Sequence, residues 1–225
     1  MTTGFDAVSL DVGGVLVVPD HGILATALTG AGIAFDRHRF GPGHYHGMAA
    51  VDRATSDPEF FGDYLWGFLR AVEVPDDRQQ EAHDALDAVL KTPVWCQPVP
   101  GSRTGLQRLA AAGVALAVTS NSDGTVADIL RRHEWVQVGD GPGVPVATVT
   151  DSGIVGVGKP DPRVFQASID ALGLAPDRIL HIGDSVHYDV DGALAMGMQA
   201  VHMDPFGLCD DTSHRHVAQL GALLS

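Results

Sequence analysis

Short apolar runs rich in Val and Ile recur at Ala7–Leu10, Val114–Val118, Val144–Val149, Ile179–Ile182 and Ala200–Met203, and most are separated by stretches whose apolar positions follow a helical period. This alternation predicts an α/β fold, a doubly wound parallel sheet with helices on its faces. GSRTGLQRLAAAG carries Leu106, Leu109 and Ala110 on one face and closes on Gly113, so it predicts a helix leading into VALAVTS. DPRVFQASIDALG, with Val164, Phe165, Ser168, Ile169 and Leu172, predicts another that leads toward RILHIGD.

Between residues 17 and 92 the rhythm changes. After VLVVPDHG no strand pattern follows, and DPEFFGDYLWGFLRAVEV and DDRQQEAHDALDAVLK read as amphipathic helices. The expected organisation is a core domain of residues 1–16 and 93–225 interrupted by a helical domain, 17–92. The exit Thr92–Gly101 holds Pro93, Pro98 and Pro100, which predicts a semi-rigid hinge.

Composition narrows the class of function. A chain of 225 residues with 45 % hydrophobic content buries enough surface for a core domain and a small accessory unit, which excludes a disordered chain. A net charge of −14, spread along the chain, argues against nucleic acid or an anionic membrane as partner. A small phosphorylated molecule stays compatible where a cation offsets that field locally. Cys96 and Cys209 form no disulfide framework. MTTGFDAVSL has no signal-peptide pattern, and no apolar run reaches the roughly 18 residues of a membrane span. The expected location is the cytoplasm, as monomer or homodimer.

Polar residues collect where the expected strands stop: Asp11 after the first, Thr119-Ser120-Asn121 after the second, Gly183-Asp184 after Ile179–Ile182. In an open parallel sheet ligands bind beyond the carboxyl ends of the strands, so these termini are expected to face one crevice. Asp184 opens GDSVHYDVDGALAMG, in which Asp189 and Asp191 follow. With Asp11 they form the sparse oxygen set that suits Mg²⁺; the other reading of Asp184 and Asp189 is as helix N-caps. Lys159 stands out because the chain has 12 Arg and only two Lys, the other being Lys91. It follows a glycine-rich turn and precedes a Pro-started helix, which suits a fixed point charge aimed at a phosphate. Gly153, Gly158 and Lys159 also fit G-x-x-x-x-G-K, but Pro160 stands where a P-loop needs Ser or Thr, which excludes that nucleotide site.

Asp11 with Val15-Leu16, then Ser120-Asn121, then Gly158-Lys159-Pro160-Asp161-Pro162, then Gly183-Asp184-Ser185-Val186-His187-Tyr188-Asp189 with Gly192-Ala193, resembles the haloacid dehalogenase-like (HAD) hydrolase superfamily. The motifs occur in the family's order, and residues 17–92 look like its helical cap. The resemblance implies a Mg²⁺-dependent phosphatase of a small phosphorylated metabolite. Asp11 would be the nucleophile that forms an aspartyl-phosphate, Ser120 and the Asn121 region would bind phosphoryl oxygens, and Lys159 would neutralise their charge and steady Asp11. Mg²⁺ would be held by Asp11, the Gly13 carbonyl and Asp184, with Asp189 close behind.

One position departs from the family. Its phosphatases usually carry an acid two residues after the nucleophile, where this chain has Gly13. General acid help is typically worth about 10²–10⁴ in rate, so a glycine there points to a substrate whose leaving group needs little protonation, to a substitute acid, or to a catalytically silent binding protein. Substitutes are sought among Asp20, His21, His44 and His46, the last two in GPGHYHGM, which reads as a glycine-rich loop whose histidines are either solvent-exposed or lowered into the site. His181 and His202, flanked by strand residues, read as core or strand-end positions. A 2-haloacid dehalogenase also lacks the second acid but works without metal, which fits Gly183-Asp184 and Asp189 less well. A phosphonatase would need a cap lysine, for which Lys91 is the candidate.

Overall fold

The computed structural model describes residues 4–54 and 60–224, so residues 57–59 of the stretch read as helical lie outside it. Along the chain run β1 (Ala7–Leu10), β2 (Val17–Pro19), α1 (His21–Gly30), α2 (Phe40–Arg53), α3 (Phe60–Ala71), α4 (Gln79–Leu90) and β3 (Trp95–Pro98). There follow α5 (Ser102–Ala111), β4 (Ala115–Ser120), α6 (Val126–Arg132), β5 (Val136–Val138), β6 (Val144–Val146), β7 (Val149–Asp151) and α7 (Ser152–Val155). The last are α8 (Gln166–Leu172), β8 (Ile179–Gly183), α9 (Gly192–Ala195), β9 (Gln199–Met203) and β10 (Arg215–Val217). The chain forms two compact units: Met1–Leu16 with Pro98–Pro205 and Asp211–Ser225, and Val17–Gln97 with Phe206–Asp210.

The first unit is built on a six-stranded sheet in the order β10-β9-β8-β1-β4-β7, with neighbouring strands parallel. The central strands are apolar because helices cover both faces of such a sheet. Ala7, Val8 and Leu10 are fully buried, and Ile179 and Ala7 pack with Val164, Phe165, Ile169, Ala193 and Met198 from the connecting helical segments. Full burial of each large side chain among these is worth about 1.5–3 kcal/mol, which fixes the register that the strand ends depend on. The apolar run Val144–Val149 divides into two strands: β6 pairs with β5 in a separate ribbon, and β7 joins the main sheet beside β4.

Among the described residues the regular elements of the second unit are helices and the strands β2 and β3, which pair in a two-stranded ribbon. The segment expected to be a proline hinge therefore contains a strand, with Pro93 and Pro100 outside it and Pro98 at its last position, where a missing N–H costs least. GPGHYHGM is also not the expected loop: it lies inside α2. Gly43 and Gly47 of this stretch lie against α3. A Cβ on Gly47 would lie 2.6 Å from the Tyr64 ring and one on Gly67 2.6 Å from the His46 carbonyl oxygen. His44 is consequently core and not solvent-exposed, 1 % accessible, with Nδ1 hydrogen-bonded to the Tyr64 hydroxyl at 3.1 Å and its ring against Tyr45, Tyr64 and Trp95. Asp20 serves as the N-cap of α1, its carboxylate accepting the Ile23 N–H at 2.9 Å. Among the described residues no helix is long and apolar enough to cross a membrane.

Candidate active site

The strand order reverses at β1, with β4 on one side and β8 on the other, so the carboxyl ends of these three strands meet at a topological switch point. Asp11 follows β1 directly, and its N–H still donates to the Ile182 carbonyl at 2.9 Å. The ladder thus fixes the backbone of Asp11 while leaving its side chain at the sheet edge. The chain then turns tightly: the Val15 N–H donates to the Gly13 carbonyl at 2.7 Å and the Leu16 N–H to the Val12 carbonyl at 2.9 Å. Gly14 adopts φ +62°, and a Cβ there would overlap the Asp184 carboxylate. The second glycine of the pair is therefore required by the approach of Asp184 from β8. Gly183 has the same function for Asp189, whose carboxylate occupies the space a Cβ would take.

Asp11, Asp184 and Asp189 are all buried, and one carboxylate oxygen from each lies within 4.8 Å of the others. The helix-cap reading of Asp184 and Asp189 gives way here. The π-helical turn Val186–Asp191 is capped by Ser185, whose hydroxyl accepts the Tyr188 N–H at 3.0 Å. Lys159 enters from the loop before α8 with its side chain 3 % exposed, and Nζ donates to Asp11 Oδ1 at 2.7 Å and Asp189 Oδ1 at 2.6 Å. Its backbone is clamped by Asn121: the Lys159 N–H donates to Oδ1 at 2.7 Å, and Nδ2 donates to the Lys159 carbonyl at 2.9 Å. A Cβ on Gly158 would come within 2.9 Å of that Asn121 oxygen, which explains the glycine before the lysine. Asn121 thus joins the second and third motifs directly, a contact the sequence reading did not contain.

Three buried carboxylates face one ammonium. Burial pushes Asp11 up to about 6, with Asp189 and Asp184 acting in the same direction and Lys159 against them. Burial also works against charge on Asp189, but Lys159 and the hydrogen bond from His181 outweigh it and hold Asp189 below the usual carboxylate range. Lys159 is held above its ordinary value by Asp11 and Asp189 despite its desolvation. With all four groups ionised the local charge is about −2, and the donors are hard oxygens, so the residues present fit a divalent cation such as Mg²⁺.

Behind this cluster runs a line of buried polar groups. Asp189 Oδ1 accepts from His181 Nε2 at 3.0 Å, which leaves Nδ1 as the acceptor for the Ser9 hydroxyl at 3.1 Å. Ser9 meets Thr119 at 3.2 Å and Thr119 meets Ser168 at 2.8 Å. Ser9 and His181 are register partners in β1 and β8. His181 is therefore a core residue, as read from the strand, and also the group that orients Asp189. The signal in the sequence was a polar residue inside the apolar runs VSL and LHI, and Thr119 at the start of the polar end of the next strand. Ser120 lies buried at the end of β4, and the loop after it is ordered by Asp151, whose carboxylate accepts the N–H groups of Gly124, Gly153 and Val126.

Comparison with known proteins agrees with this geometry. The family model "haloacid dehalogenase-like hydrolase" matches residues 5–197. A phosphoserine phosphatase of Thermus thermophilus is 32 % identical over 61 % of this chain, a span that covers 53 % of that protein, so the chain matches about half the length of this relative. A phosphatase of Mycobacterium tuberculosis is 27 % identical over 88 % of this chain and 85 % of its own length. A phosphoglycolate phosphatase of Rhodospirillum rubrum is 33 % identical over 70 % of this chain and 61 % of its own. The solved HAD-hydrolase YfnB from Bacillus subtilis bound to magnesium shares the fold at a TM-score of 0.62 and 16 % identity, over 97 % of this chain and 96 % of that one. With a family model that spans residues 5–197, most of its length, the chain belongs to the haloacid dehalogenase-like hydrolases.

Proposed function

We propose that the chain is a Mg²⁺-dependent phosphatase of a small phosphorylated metabolite that works through an aspartyl-phosphate on Asp11. The observation that carries this reading is the buried contact between Asp11 Oδ1 and Lys159 Nζ, 2.7 Å, beside Asp184 and Asp189. The phosphatase names of the sequence relatives support the same class.

Asp11 attacks the phosphorus, the bond to the leaving group breaks, and water then hydrolyses the acyl phosphate to restore the carboxylate. Lys159 keeps Asp11 aimed and faces the phosphoryl oxygens, which Ser120 binds by its hydroxyl. Asn121 acts through its clamp on Lys159, and Asp189, held by Lys159, His181 and the Ser185 N–H, steadies that ammonium. Asp11, the Gly13 carbonyl and Asp184 would hold Mg²⁺, with Asp189 behind them. When bound, that ion neutralises charge on the transferring phosphoryl group. The helical unit is assigned the role of the substrate-selecting cap.

Position 13 contributes a carbonyl and no acid, so the substrate class is one with a good leaving group, an acyl or anomeric phosphate. The test is phosphate release from a panel of acyl phosphates, sugar 1-phosphates and simple esters with Mg²⁺, run beside Asp11→Asn. Release from the activated members that the variant lacks is expected. If the whole panel stays at the level of Asp11→Asn, the enzyme reading fails and a phosphate-binding protein takes its place.

A further inference from the structure

At the end of the sheet formed by β9 and β10, three imidazoles converge. His202 and His216 are register partners in the parallel ladder. His214, just before β10, stacks on His216 with ring centres 4.6 Å apart. One ring nitrogen of each lies within 4.8 Å of the others. His202 is buried and the His214 side chain is 4 % exposed.

Hydrogen bonds fix where the lone pairs point. His202 Nε2 meets the Asp184 carbonyl at 3.2 Å and His216 Nε2 meets the Asp211 carbonyl at 2.9 Å. A carbonyl only accepts, so both Nε2 atoms carry hydrogen and in the neutral rings both Nδ1 atoms carry lone pairs. His202 Nδ1 faces His214 Nε2 at 3.4 Å, and His214 Nδ1 lies 3.7 Å from the Asp211 carboxylate. His216 Nδ1 faces the Asp204 carboxylate at 3.5 Å. With no metal bound the His214 Nε2–H donates to His202 Nδ1, and a cation between the two nitrogens would take the place of that proton.

We infer that His202, His214 and His216, with Asp204 beside them, form a site for a nitrogen-preferring divalent metal, Zn²⁺, separate from the carboxylate cluster. Two imidazole nitrogens on a tetrahedral Zn²⁺, each bonded at about 2.0–2.1 Å, are about 3.4 Å apart, which matches the His202–His214 separation. An Nε2–H donated to a backbone carbonyl is also the usual support behind a metal-bound histidine. The two sites sort their ions by ligand type: imidazoles for Zn²⁺, carboxylates and a carbonyl for Mg²⁺. Bound Zn²⁺ joins β10 to β9 and so secures the segment after residue 211.

The test uses the full chain, stripped of metal and kept in excess Mg²⁺, with Co²⁺ as the spectroscopic probe. One equivalent of Co²⁺ with the visible absorption of a tetrahedral centre, displaced by Zn²⁺, and a rise in Tm on Zn²⁺ addition are expected. His214→Asn and His216→Gln, checked for folding by circular dichroism, each weaken Co²⁺ binding about tenfold or more, while Asp184→Asn leaves it in place. The wild-type titration needs no variant: if it takes up no Co²⁺ in excess Mg²⁺, the rings share a proton only and the proposal is overturned. Uptake that survives both histidine variants but disappears in Asp184→Asn overturns it equally. None of these readouts depends on phosphate release, so the site and the phosphatase reading fail or stand separately.

Discussion

In the sheet unit Gly14 and Gly183 stand where a carboxylate passes, and in the helical unit Gly47 and Gly67 stand where another helix passes. Gly14 and Gly183 leave room for Asp184 and Asp189. Gly47 and Gly67 leave room for the Tyr64 ring and the His46 carbonyl across the α2–α3 contact. In the first case the space is filled by the carboxylate of a buried aspartate. In the second it is filled by ordinary packing, where a glycine in mid-helix costs about 1 kcal/mol relative to alanine and close packing of the two helices offsets it. The same residue type thus makes room for buried charge in one unit and for helix packing in the other, and the two roles separate experimentally.

The largest effect is expected from Asp11, which lies in one cluster with both of those carboxylates. Asp11→Asn should lower turnover of the best substrate roughly 10³-fold or more while Tm stays near or above the wild-type value, because a nucleophile is lost and a buried charge is removed. A variant with near-normal turnover would break the assignment of Asp11. Gly14→Ala comes next: its Cβ collides with the Asp184 carboxylate at a backbone φ of +62°, so turnover should fall on the order of 10²-fold and the Mg²⁺ needed for half-maximal rate should rise. Normal Mg²⁺ dependence in that variant would show that Asp184 is not a ligand.

Gly13→Asp sharpens the comparison from the other side, since the first glycine of the pair is proposed to matter for what it lacks. It should raise turnover on a poor leaving group roughly 10-fold to 10²-fold and leave acyl phosphates little changed, as measured by the ratio of kcat/KM on the two classes. An equal change on both classes would remove leaving-group protonation from the explanation. The smallest effect is expected in the helical unit. Gly47→Ala gains about 1 kcal/mol of helix propensity but forces a methyl to 2.8 Å from the Tyr64 carbonyl oxygen, so a net loss of about 1–2 kcal/mol is expected in a denaturant midpoint, with turnover per folded molecule unchanged. A variant that is more stable than the parent would mean α2 and α3 can separate without cost.

Legibility in the sequence followed the range of the interaction. β1 begins and ends where its apolar run does, and α5 and the helix after Pro162 follow their periodicity, because alternation and capping are local signals. β5 and β10, three residues each, and α6, seven, are too short to announce themselves by period. GPGHYHGM reads as a loop by composition, yet it lies inside α2, with Gly43 and Gly47 against α3. Asp11, Lys159 and Asp184 were visible as polar residues at strand ends and turns. The roles of Asn121 and His181 were not, because each depends on a partner at least eight residues away, Lys159 in one case and Asp189 in the other.

The sequence by itself determined the strand runs, the glycines that permit tight turns, and the motif set with its missing acid at position 13, since each depends on the chemistry of neighbouring residues. Tertiary structure decided the rest. Strand order put β4 and β8 on either side of β1, and burial turned three separate aspartates and one lysine into a single coupled group of charge. Coulomb coupling and desolvation depend on distance in space, and the sequence holds no record of that distance until the sheet has formed.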